Sequence, residues 1–126
     1  MAKSIKFSSI INHNGDETKI SFKAPVTIGE FKEFKSYDFI EPENKVANKI
    51  EVSDNKVNIF AGASTIELEL DKVVSIKYKI PEGMLFLDTH MTELKNKNQE
   101  KIEFKYSLSQ NGEILGNYHI TLEIKG

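Results

Sequence analysis

The chain has 126 residues, with 17 basic and 19 acidic side chains for a formal net charge of −2, and no cysteine or tryptophan. That length fits one domain, 1-126, able to bury about two-thirds of its unfolded surface without cross-links, and the missing cysteines exclude disulfides and thiolate metal sites. All the basic residues are scattered lysines, which argues against a nucleic-acid footprint and removes the guanidinium fork best suited to phosphate.

Ile5, Phe7, Ser9 and Ile11 alternate with polar residues, the period of a half-buried strand. Asn14-Gly15 follows, a dipeptide suited to a tight type I′ hairpin turn, and Ile20, Phe22 and Ala24 resume the alternation. Shorter strands are expected at 26–30, 33–40, 46–53, 56–61 and 64–70. Glu41-Pro42-Glu43-Asn44, Ser53-Asp54-Asn55, Pro81-Glu82-Gly83 and Lys97-Asn98-Gln99 supply the looser connections. Two segments, beginning at Thr27 and Ser64, fit the S/T-x-x-E helix-capping pattern. After Ser64 the alternation of Ile66, Leu68 and Leu70 with Glu67 and Glu69 makes a strand the better reading; at Thr27 a short helical turn competes, because Ile28, Phe31 and Phe34 fall three apart.

The second half is clearer. Val74, Ile76, Tyr78 and Ile80 lie on one side of a strand, and Ile102, Phe104, Tyr106 and Leu108 on one side of another. Asn111-Gly112 turns the chain into a last strand with Ile114, Tyr118, Ile120, Leu122 and Ile124 inward. About 8-10 antiparallel strands with little or no helix leave a two-sheet sandwich or an up-and-down β-barrel. Hairpin connections and long C-terminal strands favour the barrel, because closure removes exposed edges.

The run Tyr78-Lys79-Ile80-Pro81-Glu82-Gly83, then Leu85, Leu87 and Thr89, and then KIEFKYSLSQNGEILGNYHITLEI resembles the YwiB-like family of small bacterial proteins of unknown function. Tyr37-Asp38-Phe39-Ile40-Glu41 is similar to the family's aromatic-then-acidic segment. The resemblance implies an all-β, lipocalin-like (calycin-type) barrel and, by analogy, a ligand cavity. It implies no catalytic residue. Ile80 departs from the threonine expected before the proline, and Phe60-Ala61-Gly62 stands where the family commonly has an arginine near a glycine, so no role of that arginine is carried over.

Asp88 and His90 sit two apart and would share a strand face, as an oriented imidazole requires. Zinc needs at least three protein ligands, however, and the family-like register turns Leu85, Leu87, Thr89 and Met91 inward, leaving Asp88 and His90 toward water. His13 falls at a turn tip and His119 on an outward face, so no metal site, cofactor, catalytic triad or phosphate loop is read from the sequence. Glu41/Glu43 and Glu67/Glu69 read as turns and solvent faces.

Tyr78, Tyr106 and Tyr118, with Phe104 and Leu87, point inward and are the candidate lining of a small-molecule cavity; the competing reading is that the phenols reach backbone or water near a barrel end. Met84 and Phe86 then face outward as a candidate surface for self-association into a homodimer. No segment reads as a secretory signal or as a membrane-spanning helix. The expectation is a cytoplasmic, non-enzymatic barrel binding a small apolar or amphipathic ligand, with neither nucleic acid nor membrane as partner. The alternative is an interaction or structural module that uses its outer apolar patch.

Overall fold

In the computed structural model, which describes residues 3–98 and 100–126, ten antiparallel strands follow one another in a meander. They are β1 (Lys3–His13), β2 (Asp16–Phe31), β3 (Phe34–Ile40), β4 (Ala47–Val52), β5 (Lys56–Ala61), β6 (Ser64–Glu69), β7 (Val73–Ile80), β8 (Gly83–Lys97), β9 (Lys101–Gln110) and β10 (Glu113–Lys125). Every strand pairs with its sequence neighbours except at the two ends of the sheet, and β1 also pairs with β10, giving the order β6-β5-β4-β3-β2-β1-β10-β9-β8-β7. The sheet curls into a nearly closed barrel. Turns after odd-numbered strands lie at one mouth and those after even-numbered strands at the other.

The turn chemistry is as the sequence requires. Asn14 and Gly15 have φ of 49° and 85°, and Asn111 and Gly112 have 52° and 81°, both residues positive as a type I′ turn demands. Between β3 and β4 the Glu41 carboxylate accepts from the Glu43 and Asn44 amides at 2.7 and 2.6 Å, so this acidic side chain organises its own turn. Of the last loose connection, Gln99 lies outside the described residues, as do Met1 and Ala2.

Three expectations are corrected. The strands anticipated at 20–24 and 26–30 are one strand, β2, and no helical turn forms at Thr27. The chain passes Pro25 because β2 changes partner there: it ladders with β1 through Val26 and with β3 from Thr27 onward. The loss of one amide at this handover is tolerated where a continuous ladder on both sides would not be. Ile114 does not share the inward face of Ile120 and Leu122. A bulge between Ile114 and Gly116 shifts the β9–β10 register, so Ile114 opposes Ser109 and is 57% exposed. A period-two pattern cannot announce a bulge, because one extra residue flips every side chain before it.

The interior is filled by side chains in cross-strand rows. Ile5, Tyr37, Ile50, Val57, Met91 and Phe104 are fully or almost fully buried. Phe7, Phe22 and Phe39 form an aromatic cluster with centroids 5.1 to 6.0 Å apart. Tyr37 carries an exception to polar satisfaction: it is completely buried, and its hydroxyl has no hydrogen-bond partner among the described residues.

Closure between β6 and β7 is made without a ladder. Glu69 at the end of β6 bridges to Lys72 just before β7, and Leu70 bridges to Met91 on β8. Thr89, wholly buried on β8, reaches across this seam: its hydroxyl donates to the Glu67 carbonyl of β6 at 2.7 Å and lies 3.3 Å from the Val74 carbonyl of β7. One hydroxyl thus stands where a row of backbone bonds would otherwise close the wall.

Candidate functional site

The five residues expected to line the bore lie on its inner surface. Phe104, Tyr106 and Leu87 are buried, while Tyr78 and Tyr118 are half-buried on the same inner surface. Tyr106 and Tyr118 oppose each other on β9 and β10 and stack with centroids 4.8 Å apart and planes 6° from parallel. The Tyr118 ring leans over Gly116, where an added Cβ would come within 3.2 Å of it. These rings pack against one another and fill space. Burial, then the neighbouring Tyr118 and Tyr78 phenols, hold the Tyr106 hydroxyl protonated well above its ordinary range, and burial and Tyr78 raise Tyr118.

The sign of that perturbation gives a test. A phenol raised in the folded state contributes its full stability below the unfolded value near 10 and loses it as pH rises beyond. Urea unfolding midpoints should therefore fall between pH 9 and pH 11, and Tyr106→Phe should flatten the fall. An equally steep fall in that variant would place the alkaline sensitivity elsewhere.

The polar residues singled out in the sequence do not converge. Asp88 and His90 stand on the outer face of β8, where Asp88 accepts a 2.8 Å hydrogen bond from Ser75, and His90 lies between Val73 and Ser107. His13 is not merely solvated: its Nδ1 bonds the Leu115 carbonyl at the β10 bulge. His119 pairs with Glu103 across β9 and β10. Among the described residues no three His, Cys, Asp or Glu side chains are grouped to hold a metal ion. Met84 and Phe86 are 53% and 66% exposed, and a hollow of about 370 Å³ runs beside Phe86 and Asn111.

A larger hollow, about 730 Å³, lies where no single motif pointed: on the outer surface of β2–β5. Its walls are built by register. Thr27, Asp38, Lys49 and Phe60 stand opposite one another on four successive strands. The adjacent row brings Ile40 beside Ala47, whose carbonyl accepts from the Gly62 amide at 3.2 Å. On the other side, Ser36, Glu51 and Asn58 form a third row. All these positions alternate with the core residues Tyr37, Ile50 and Ile59, so they belong to the outside of the wall. Yet Ser36 is 7% and Glu51 9% exposed, far less than an outward-facing residue on a convex wall would be. The wall is concave there. Apolar Phe60, Ile40, Pro25 and Ala47 with a few charged groups make the usual composition of a small-molecule pocket, and the volume falls within the usual range of about 300–1,000 Å³.

Residues 5–122 match a family described as a domain of unknown function (DUF1934). The chain is 31% identical over 123 residues to an uncharacterized protein of Mycoplasmopsis pulmonis (strain UAB CTIP), covering 95% of this chain and 97% of that one. Among solved structures, the crystal structure of ywiB protein from Bacillus subtilis superposes with a TM-score of 0.77, covering 99% of this chain and 92% of that one at 20% identity, a likeness of fold. In this chain the Pro81–Gly83 corner joins β7 to β8, Leu87 is buried with Leu85 half-buried on the same face, and Asn111-Gly112 makes the β9–β10 hairpin. The chain therefore belongs to the DUF1934 family of YwiB-like β-barrel domains of unknown function.

Proposed function

We propose that this barrel is a non-catalytic, cytoplasmic binding protein for a small amphipathic molecule, and that the ligand sits in the β2–β5 flank hollow and not in the bore. The observation that carries the reading is the hollow itself: about 730 Å³, largely apolar, with a few charged groups. The bore, by contrast, is occupied along its length by Phe104, Ile102, Leu122, Met91 and the tyrosine stack. The reading needs no enzyme, cofactor, nucleic acid or membrane partner; the scattered His and Asp side chains and the dispersed lysines support it.

A neutral amphiphile such as 1-octanol is the first probe. Amide shifts on titration should cluster at Thr27, Asp38, Lys49 and Phe60, and Phe60→Ala should weaken binding about tenfold through lost aromatic contact. Shifts confined to Phe104 and Tyr106 would return the ligand to the bore.

A second reading has its own observation. Met84 and Phe86 are exposed beside one another on the outer face of the β7–β8 hairpin, and Ile114 joins that face on β10. Exposed apolar groups gathered on one surface mark self-association. Under this reading the wild type elutes as a dimer and Phe86→Ser as a monomer in size-exclusion chromatography with light scattering; a monomer in both cases removes it.

A further inference from the structure

We infer that the free edge of β7 pairs with β7 of a second copy about a two-fold axis at Ile76, joining two barrels through one continuous sheet; the inference uses neither the flank hollow nor the Met84–Phe86 face. β7 is an end strand of the sheet, laddered to β8 on one side only. Its turn fixes which peptide groups are left over. Ile80 and Gly83 flank the two-residue Pro81-Glu82 turn as a bonded pair, and bonded pairs recur at every second residue. Val74, Ile76, Tyr78 and Ile80 therefore turn their N–H and C=O groups to β8, and Val73, Ser75, Lys77 and Lys79 turn theirs away from it. β6 does not take these up. The Lys72 amide bonds the Glu69 carbonyl at 3.1 Å where the chain turns, so a ladder with β6 would next call on Val74, which is already bonded to β8.

The flank along this edge is open. Val73, Ser75, Lys77 and Lys79 are all exposed, whereas Lys6, Ser8 and Ile10, outward residues of β1 with a ladder on both sides, are half-buried. A row of unpaired peptide groups on an open edge is a template for another strand, and the side chains choose which. Pairing about Ile76 sets Ser75 opposite the partner's Lys77 and Val73 opposite the partner's Lys79. Every residue with free peptide groups then finds a partner, and no lysine stands directly opposite a lysine. Centring the pair on Lys77 sets that lysine against itself, centring it on Tyr78 sets Lys77 against Lys79, and like charges directly opposite are destabilising. Centring it on Ser75 leaves Lys79 beyond the end of the partner strand. In the favoured register the row runs from Lys77 over the partner's Ser75 to the partner's Asp88, because Asp88 stands beside Ser75 on β8 and accepts from its hydroxyl at 2.8 Å. The small serine lets the lysine reach that carboxylate, and the two-fold axis repeats the contact. Within one chain, neither Lys77 nor Lys79 has an ion pair among the described residues.

Amide hydrogen exchange of the full chain across a dilution series tests this in the wild type. The Ser75, Lys77 and Lys79 amides have no ladder partner within one chain, so they should exchange at least about tenfold more slowly at about 1 mM protein than when dilute. Ile76 and Tyr78, bonded to β8, should stay protected at both concentrations, and light scattering should show the matching concentration-dependent dimer. Lys77→Pro deletes an N–H that points to the free edge, where a proline is tolerated, and should give a folded monomer. Val73→Glu sets a carboxylate opposite the partner's Lys79 and should tighten the dimer severalfold; it decides the matter if Lys77→Pro fails to fold. A wild type that stays monomeric with concentration-independent exchange would overturn the inference, as would Val73→Glu with unchanged affinity. A dimer that survives Lys77→Pro would also overturn it, and loss of that dimer in Phe86→Ser would assign self-association to the Met84–Phe86 face.

Discussion

Replacing Phe104 by alanine is expected to cost about 3–5 kcal/mol, the usual penalty for deleting a buried aromatic ring and leaving its cavity. Phe104 has no exposed surface and lies in the row Ser9, Ile120, Phe104, Leu94 that crosses β1, β10, β9 and β8. Its ring centroid is 6.2 Å from that of Tyr106, so the truncation also removes support from the tyrosine stack. Against a typical domain stability of about 5–15 kcal/mol, the variant should lose a large part of its margin. Equilibrium denaturation checks this: a cost under about 1 kcal/mol would mean that the bore is loosely filled and able to accept a guest there.

The second large effect belongs to the seam. Thr89→Val keeps the shape of the buried side chain but removes the hydroxyl that joins β8 to the Glu67 carbonyl of β6 and lies beside the Val74 carbonyl of β7. A part-buried acceptor left without its donor costs about 1 kcal/mol, the lower end of the usual range. The loss should also be local. Without a backbone ladder between β6 and β7, amide exchange in Ser64–Glu69 should accelerate more than exchange in β9 and β10. Uniform acceleration across all strands would show that Thr89 contributes only to global stability and does not latch the wall.

Much of this architecture was legible from residue order. Strict alternation in VVSIKYKI and KIEFKYSLS placed Ile76, Tyr106 and Leu108 on the inner face because a strand has no other way to bury one side of such a pattern. Asn-Gly pairs located two hairpins because only residues at ease with positive φ can make those turns. What failed had an equally physical cause. The bulge at Leu115 turned Ile114 outward, and nothing in apolar–polar spacing marks where an extra residue is inserted. The strands expected at 20–24 and 26–30 are one because the switch of strand partner that carries β2 past Pro25 is a tertiary event.

The candidate site was the least legible part. Asp88, His90 and the tyrosines stood out locally, but the flank hollow joins Thr27, Asp38, Lys49, Glu51 and Phe60 from four strands, and each of them alone reads as an ordinary outward residue. The burial of Ser36 and Glu51 on an outer face was the signal that mattered. It depends on the curvature of the wall, which alternation along one strand does not encode.

On the function proposed above, the bore is packed and the ligand surface lies outside it. Filtered nuclear Overhauser spectra of the protein with bound 1-octanol address this directly, by reporting which side chains touch the alkyl chain. Contacts from that chain to Phe60, Ile40 and the Thr27 methyl group are the expected result; contacts to Met91, Ile102 and Leu122 would place the ligand in the bore and contradict it.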